Sequence, residues 1–455
     1  MKENRIDFGL FEVGEVIQRK GEKNMSKKLV ALLLSSITAI MSLFLPVSSR
    51  VAPQDDGDFV PVVRFAVASD SHVRTLFDER SRRIQNVLTL AYSDADRDEN
   101  YQRLDAVVFA GDLTDNGTVL QFMGFKATVD SVLRDETKLM AVVAKNHDGY
   151  TFGKSSLPLF TEITGQPSDY HYVVGGYHFI GLSASTKKGE HYSEYQRVWL
   201  EEQLAQAAKD DPEKPIFVTH HEPVSNTVYG SSDVDSWGVG YFKDILSRYP
   251  QVVDFAGHSH YPLNDPRSIW QGDFTAVGTG ALKYAEFTVD GKNEVHPDGY
   301  KKIAQMWIVE VNAENEVRLR GFDALEGVLL CEYLIKNPSD RENRQYTPEQ
   351  QQAAASAPTF SENAELEVKR KVGKYSVTVP AAQSTDSNPV FLYRYFVLDE
   401  GGEVVRSEYV MNNMWLGKTY ESVSFSVRAK RGQTVSVVAE NSYGMQSEAL
   451  EAVLG

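Results

Sequence analysis

Short apolar runs rich in β-branched residues recur between residues 62 and 322, and helical patterns separate them. Five of the runs are Val62 to Ser69, Ala106 to Ala110, Leu139 to Ala144, Pro215 to Thr219 and Val252 to Ala256. Their length and composition predict buried strands. Between them, Glu79 to Tyr92 places Ile84, Val87, Leu88 and Ala91 on one face, and Val198 to Ala208 repeats that spacing with Leu200, Leu204 and Ala207. Tyr177 to Ser183 and Gln305 to Val311 read as further strands. The alternation predicts an α/β domain over residues 59–330.

The pattern changes after that. Residues 331–362, with Pro348, the run Gln350 to Gln352 and Ala353 to Ala357, predict a linker or a short helix. Residues 363–455 then alternate at period two, with Tyr375, Val377 and Val379, then Val423, Phe425 and Val427, then Val435 and Val437. Gly401-Gly402 between two such runs signals a hairpin. Several short strands in so little chain predict a β-sandwich. The segment Val437 to Glu448, with Asn441-Ser442-Tyr443-Gly444, resembles the last strands of a fibronectin type III domain.

At the other end, Lys27 and Lys28 precede an apolar run from Leu29 to Leu45, followed by Pro46 and the small residues Val47-Ser48-Ser49. This predicts a signal peptide over residues 25–49, with an uncleaved anchor as the alternative. The run is short for a membrane span, and Ser35, Ser36, Thr38 and Ser42 interrupt it. A signal starting at Met25 makes residues 1–24 an expected mis-called extension. Lys20-Gly21-Glu22 reads as a translated purine-rich ribosome-binding site, which points to a bacterial gene.

Composition narrows the chemistry. A net charge of -16 argues against a nucleic-acid-binding surface. The single Cys331 excludes an intramolecular disulfide framework and leaves nitrogen and oxygen as the metal donors. The chain has ten histidines. Six of them fall in segments that directly follow the five predicted strands: Asp70-Ser71-His72, Gly111-Asp112, Asn146-His147-Asp148, His220-His221 and Gly257-His258-Ser259-His260. Taken singly, each has an ordinary explanation as a turn or polar loop. Their joint placement does not, because ligand-binding groups in α/β folds sit just past the carboxyl ends of strands.

A dinuclear site needs two cations held about 3.5–4 Å apart by a ligand that bridges them. Asp112 suits that role, since Gly111 lets the backbone turn tightly before it. Asp70 and His72, two positions apart on extended chain, project to the same side and chelate one ion. His258 and His260 repeat the spacing. Asn146 offers an amide oxygen and His220 an imidazole.

In kind and order the five segments resemble the calcineurin-like metallophosphoesterase superfamily over residues 60–325. The resemblance implies a four-layer fold of two packed mixed β-sheets flanked by helices. It implies that Asp70, His72 and His260 bind one metal, that Asn146, His220 and His258 bind the other, and that Asp112 bridges. It places His147 beside the metals to contact the phosphate or protonate the leaving group, gives Asp148 the role of orienting His147, and leaves His221 outside the ligand set. Lys145 departs from the family's usual glycine before Asn146; its ammonium points to solvent or reaches the substrate. Asp115 stands where purple acid phosphatases carry a tyrosine, so no ferric charge-transfer site is expected.

The expected function is a secreted or cell-envelope-associated phosphoesterase. It hydrolyses phosphate mono- or diesters by attack of a metal-bridging hydroxide, with two divalent ions (Mn, Fe or Zn) as cofactors and His147 assisting the leaving group. The expected substrate is a small phosphoester, and the C-terminal domain packs on the catalytic one or holds it at the envelope. The competing reading is a cell-surface binding protein in which the sandwich carries function and the α/β domain is a scaffold. A structural zinc protein fits poorly, because such sites are sulfur-rich. The segments expected to shape the pocket are Lys154 to Tyr170, Ser185 to Tyr195 and Ser225 to Val239. Tyr229 and Trp237 there, and Tyr150 just before the first of them, either stack on substrate or pack.

Overall fold

The apolar runs become two six-stranded sheets packed face to face. The computed structural model describes residues 27–42, 59–151, 154–184, 191–232, 237–291, 293–384, 388–417 and 420–455. In chain order the strands are β1 (Pro61–Ala68), β2 (Ala106–Ala110), β3 (Lys138–Val142), β4 (Asp169–Val174), β5 (Tyr177–Leu182), β6 (Ile216–Thr219), β7 (Val252–Ala256), β8 (Ile269–Gln271), β9 (Thr275–Gly278), β10 (Gln305–Asn312), β11 (Val317–Asp323) and β12 (Val328–Ile335). The first sheet has the order β12-β11-β10-β1-β2-β3 and the second β8-β9-β7-β6-β5-β4. Both are mixed. β1, β2 and β3 are parallel, as are β5, β6, β7 and β9, while the remaining pairs are antiparallel.

Side chains of period two sort into layers. Val63, Phe65 and Val67 of β1 enter the core between the sheets, where Phe65 meets Phe179 and Phe217 edge-on at 4.9 and 4.7 Å between ring centroids. Ala66 and Ala68 face the other way, against Ile84, Val87 and Leu88 of helix Glu79–Ala95 and Phe122 and Phe125 of helix Val119–Asp130. On the far side of the second sheet, Ile180 and Val218 pack on Leu200 and Leu204 of helix Glu194–Asp210. The result is the four-layer arrangement that the resemblance implied. Both long helices have specified starts: Asp78 accepts from the Ser81 N–H, and Ser193 with Gln196 forms a capping box.

The sheet continues past the expected boundary at 330, because β12 pairs with β11 as far as Ile335 and carries Cys331. β1, β10 and β11 share a buried ionic cluster. Glu310 accepts from Arg64 Nε at 2.7 Å and lies 2.7 Å from Arg318 Nη2 and 3.1 Å from Arg320 Nη2. In the linker, helix Pro348–Ala354 starts on a Thr347 cap.

The C-terminal region is the expected sandwich, a three-stranded and a four-stranded antiparallel sheet. Tyr375, Val377 and Val379 pack against Tyr393, Tyr395, Val435 and Val437. The double-glycine hairpin pairs Leu398 with Val404. The sandwich packs on the α/β domain through Phe391, Met414 and Trp415 against Tyr229, Tyr261 and Phe287. Asn264 and Gln305 donate side-chain hydrogen bonds to the Met414 and Trp415 carbonyls across this boundary.

The leader contains helix Lys27–Ser42, whose Ile37 and Met41 are buried in the core beside helix Val119–Asp130. Among the described residues, no helix is long and apolar enough to cross a membrane. The expected extension over residues 1–24 and the expected cleavage region at Val47-Ser48-Ser49 lie outside the described residues.

Candidate metal centre

The carboxyl ends of β1, β2, β6 and β7 deliver a compact group of buried ligand-type atoms. His260 Nε2 lies 3.0 Å from Asp70 Oδ1 and 3.3 Å from His72 Nε2. His72 Nε2 lies 3.5 Å from Asp112 Oδ2. On the other side of Asp112, its Oδ2 is 3.4 Å from His221 Nε2. Asp70, His72, Asp112 and His260 form one candidate ion-holding group, and Asp112, His221 and His258 a second. Asp112 is common to both, which is the position a bridging carboxylate occupies.

The backbone at these residues is strained. Seven described non-glycine residues have positive φ, and five of them are Asp70 (56°), His72 (47°), Asp112 (48°), His258 (73°) and His260 (57°). Left-handed backbone disfavours side chains with a Cβ, and such strain concentrates where surrounding structure holds functional groups in place. Gly111 has φ 84°, and a Cβ there would stand 2.6 Å from His221 Nδ1. His221 Nδ1 in turn donates to the Ala110 carbonyl at 2.8 Å, which turns Nε2 toward Asp112.

Burial and neighbouring charge set the protonation states. Burial, with a further push from other histidines, holds His72 and His258 down at about 4, so both rings are neutral, the ligating form. Burial alone would raise Asp70 and Asp112, yet the surrounding histidines outweigh it and hold both carboxyls below the usual range. Burial would lower His221, but Asp112 and Asp70 outweigh it and raise the ring well above its ordinary value.

The set fits divalent cations. Asp70 Oδ1, Asp112 Oδ1 and His221 Nε2 are buried and make no hydrogen bond among the described residues, though Asp70 Oδ1 lies 3.0 Å from His260 Nε2 and His221 Nε2 lies 3.4 Å from Asp112 Oδ2. Buried polar atoms without partners are costly, and an imidazole-carboxylate set of this kind suits Mn, Fe or Zn.

Three expectations from the sequence need correction. His220 does not join the cluster: its Nε2 lies 2.9 Å from Asp254 Oδ1, and its ring packs 5.2 Å from Phe242 in the helix-facing layer. His221 stands in the place expected for His220. The reason is strand parity, since Phe217, Thr219 and His221 face the inter-sheet side while Ile216, Val218 and His220 face the helices. Asp148 does not orient His147. Its carboxylate accepts from the Leu113, Thr114 and Ala144 N–H groups and from Thr114 Oγ1, at 2.7–3.1 Å, and so ties the loop after β3 to the loop after β2. His147 is instead held by Nδ1 against the Asp115 carbonyl at 3.0 Å, with its ring 4.3 Å from that of His72. Asn146 on the same loop is exposed.

Lys145 causes no backbone anomaly; the tight point of that turn is Gly149, where a Cβ would stand 2.2 Å from the Lys145 carbonyl oxygen. Of the three aromatics, Trp237 lies 4.8 Å from the His258 ring. Tyr229 belongs to the boundary with the sandwich and donates to the Thr288 carbonyl. The Tyr150 side chain and residues 185–190 and 233–236 of the expected pocket segments lie outside the described residues. Sequence reasoning missed Asp115 as a hub. Its carboxylate meets Arg74 at 2.8 Å, Arg80 at 3.1 Å, Lys283 at 3.5 Å and His72 Nδ1 at 3.7 Å. No local motif marks that role, because its partners come from distant segments.

Residues 63–262 match the calcineurin-like phosphoesterase family. The chain is 32% identical over 162 residues, 35% of its length and 52% of the relative's, to a probable cyclic nucleotide phosphodiesterase of Rhodococcus erythropolis. It is 34% identical over 166 residues, 34% of its length and 56% of the relative's, to a probable glycerophosphodiester phosphodiesterase of Arcobacter nitrofigilis. It is 28% identical over 165 residues, 36% of its length and 50% of the relative's, to a cAMP/cGMP dual specificity phosphodiesterase of Mycobacterium tuberculosis. The chain thus spans about half the length of the curated relatives it matches. With five segments in family order, the sheet ends that carry them and the shared Asp112, residues 63–262 form a calcineurin-like metallophosphoesterase domain.

Proposed function

We propose that this protein is a metal-dependent phosphodiesterase acting outside the cytoplasm or at the cell envelope. The observation that carries the reading is the shared Asp112, buried between two groups of histidine and carboxylate ligands. Asp70, His72 and His260 would hold one divalent cation, His221 and His258 the other, and Asp112 would bridge them. Asn146, exposed on the loop that carries His147, would complete the second group with its amide oxygen. Bound together, two such cations supply an activated water and neutralise phosphoryl charge.

The chain's own residues do the rest. Left-handed backbone at five ligands fixes their directions before substrate arrives. Because the Asp115 carbonyl can only accept, His147 Nδ1 carries a proton and Nε2 is the atom left to serve the ester. Protonated there, it donates to the leaving oxygen. Asp148 keeps the His147 loop at the correct height by bonding to both neighbouring strand ends. A diester is favoured over a monoester because the three relatives named above are phosphodiesterases. The leader's apolar run supports export.

The test is hydrolysis of bis-p-nitrophenyl phosphate against p-nitrophenyl phosphate, with metal content measured on the same preparation after incubation with Mn²⁺. Two metals per chain and faster diester turnover are expected. A preparation that takes up no metal at stoichiometric levels and hydrolyses neither ester would end this reading.

A further inference from the structure

A pocket of about 600 Å³ opens beside the centre, lined by the turn before helix Glu79–Ala95, by Lys283-Tyr284 and by the segment from His296 to Lys301. None of the five metal-type segments supplies its lining. Two residues connect it to the centre. One is Asp115, whose carboxylate faces His72 on one side and Arg74, Arg80 and Lys283 on the other. The second is Tyr284, whose ring centroid is 4.2 Å from that of His260.

The charge of this pocket runs against that of the chain. Its lining carries five cations, Arg74, Arg80, Arg83, Lys283 and Lys301, and two carboxylates, Asp78 and Glu79. Asp78 is occupied in capping the helix, accepting from the Arg74 and Ser81 N–H groups. Glu79 is turned to Arg83 at 2.6 Å. Asp115 beneath the lining meets three of the cations and cannot neutralise them all. The remaining positive charge sits in a molecule of net charge -16. A concave cationic patch on an acidic protein focuses anions to that point, and guanidinium groups suit phosphate oxygens in particular.

We infer that this pocket binds a second phosphate on the organic part of the phosphoester, so that the preferred substrate carries one phosphoryl group at the metal centre and another beside Arg74 and Lys301. The inference rests on the phosphoesterase reading above. The scissile phosphoryl lies on the near side of Asp115 and Tyr284, and the chain of the ester runs past Lys283, whose Nζ is 3.5 Å from Asp115 and 5.2 Å from the Tyr284 ring centroid. Tyr284 and Tyr300, in edge-to-face contact at 5.8 Å between centroids, form one side of that path. Asp115 meets Arg74, Arg80 and Lys283, and of the five cations Arg74 and Lys301 are the two exposed to solvent, so they are the pair to test.

Two measurements test it on the metal-loaded full chain. The first compares hydrolysis of thymidylyl-thymidine with and without a 5′-terminal phosphate. The phosphorylated form is expected to have a kcat/KM about tenfold higher at low salt, and Arg74→Ala with Lys301→Ala to bring the ratio close to one (a tenfold ratio is about 1.4 kcal/mol). Equal values in the wild-type chain would overturn the inference while leaving phosphoesterase activity in place. The second is a calorimetric titration with inorganic phosphate, in which the double variant is expected to bind one phosphate per chain fewer than wild type. Unchanged stoichiometry would also overturn it. If neither ester is hydrolysed, the phosphoesterase reading fails and the titration still decides the pocket.

Discussion

The backbone carbonyl of Asp115 lies 3.0 Å from Nδ1 of His147, and that contact leaves Nε2 as the ring nitrogen available for proton transfer. An imidazole pinned at one nitrogen by a carbonyl presents the other for proton transfer. His147→Ala is therefore expected to lower turnover about 10²–10⁴-fold while metal content stays near the wild-type value. Metal analysis and steady-state kinetics on one preparation check both halves. Loss of both metals would assign His147 to the ligand set instead.

The adjacent histidines separate two kinds of damage. His221→Ala removes a nitrogen 3.4 Å from Asp112 and is expected to lose one metal per chain together with activity. His220→Ala leaves Asp254 buried without its partner. It is expected to keep its metals but to unfold more easily by about 3–5 kcal/mol, the usual cost of breaking a buried pair. Metal stoichiometry and urea unfolding of the two variants should give opposite patterns, and the same pattern in both would undo the assignment.

Asp148 offers a third contrast. Asp148→Ala strands three backbone N–H groups and the Thr114 hydroxyl. Each buried group left unpaired costs about 1–3 kcal/mol, so a marked fall in the unfolding midpoint is expected. Were the midpoint to stay put while only turnover dropped, Asp148 would be acting on His147 after all.

The cluster around Glu310 is expected to contribute to unfolding in acid. Burial alone would raise this carboxyl, but Arg320, Arg64 and Arg318 outweigh it and hold it down at about 2. A depressed folded value contributes stability that is present above the unfolded value, about 4.3 for a glutamate. It is lost as pH falls from there through about 2. Glu310→Gln is expected to destabilise the protein at pH 7 and to flatten the pH dependence of unfolding in that window. A parallel curve for variant and wild type would show that other groups carry the acid transition.

Metal removal should be felt by the whole fold. Cations bound only by the native chain stabilise it by about 2.7 kcal/mol at a hundred times Kd. A chelator is expected to lower the melting temperature and abolish turnover, with Mn²⁺ restoring both. Unchanged melting after verified metal loss would place the ions outside the buried group.

Much of this protein could be read from the chain alone. Strand positions followed from apolar runs such as Ala106 to Ala110, because a buried strand must be apolar on both faces. The centre's neighbourhood followed from polar segments standing where those runs stop. Asp70, His72, Asp112, His258 and His260 come together at the strand ends, on left-handed rather than the extended backbone their spacing suggested. What the chain did not reveal is which of two adjacent histidines turns inward. That depends on the parity of β6 relative to two competing cores, and both faces of that strand are buried. Nor could it reveal that Asp148 braces two strand ends while Asp115 holds His147, since those contacts join residues 32 to 35 positions apart. Local sequence determines what an element is and where it ends. Only packing in three dimensions decides which side chains meet beyond it, because that choice is made by partners the chain brings in from elsewhere.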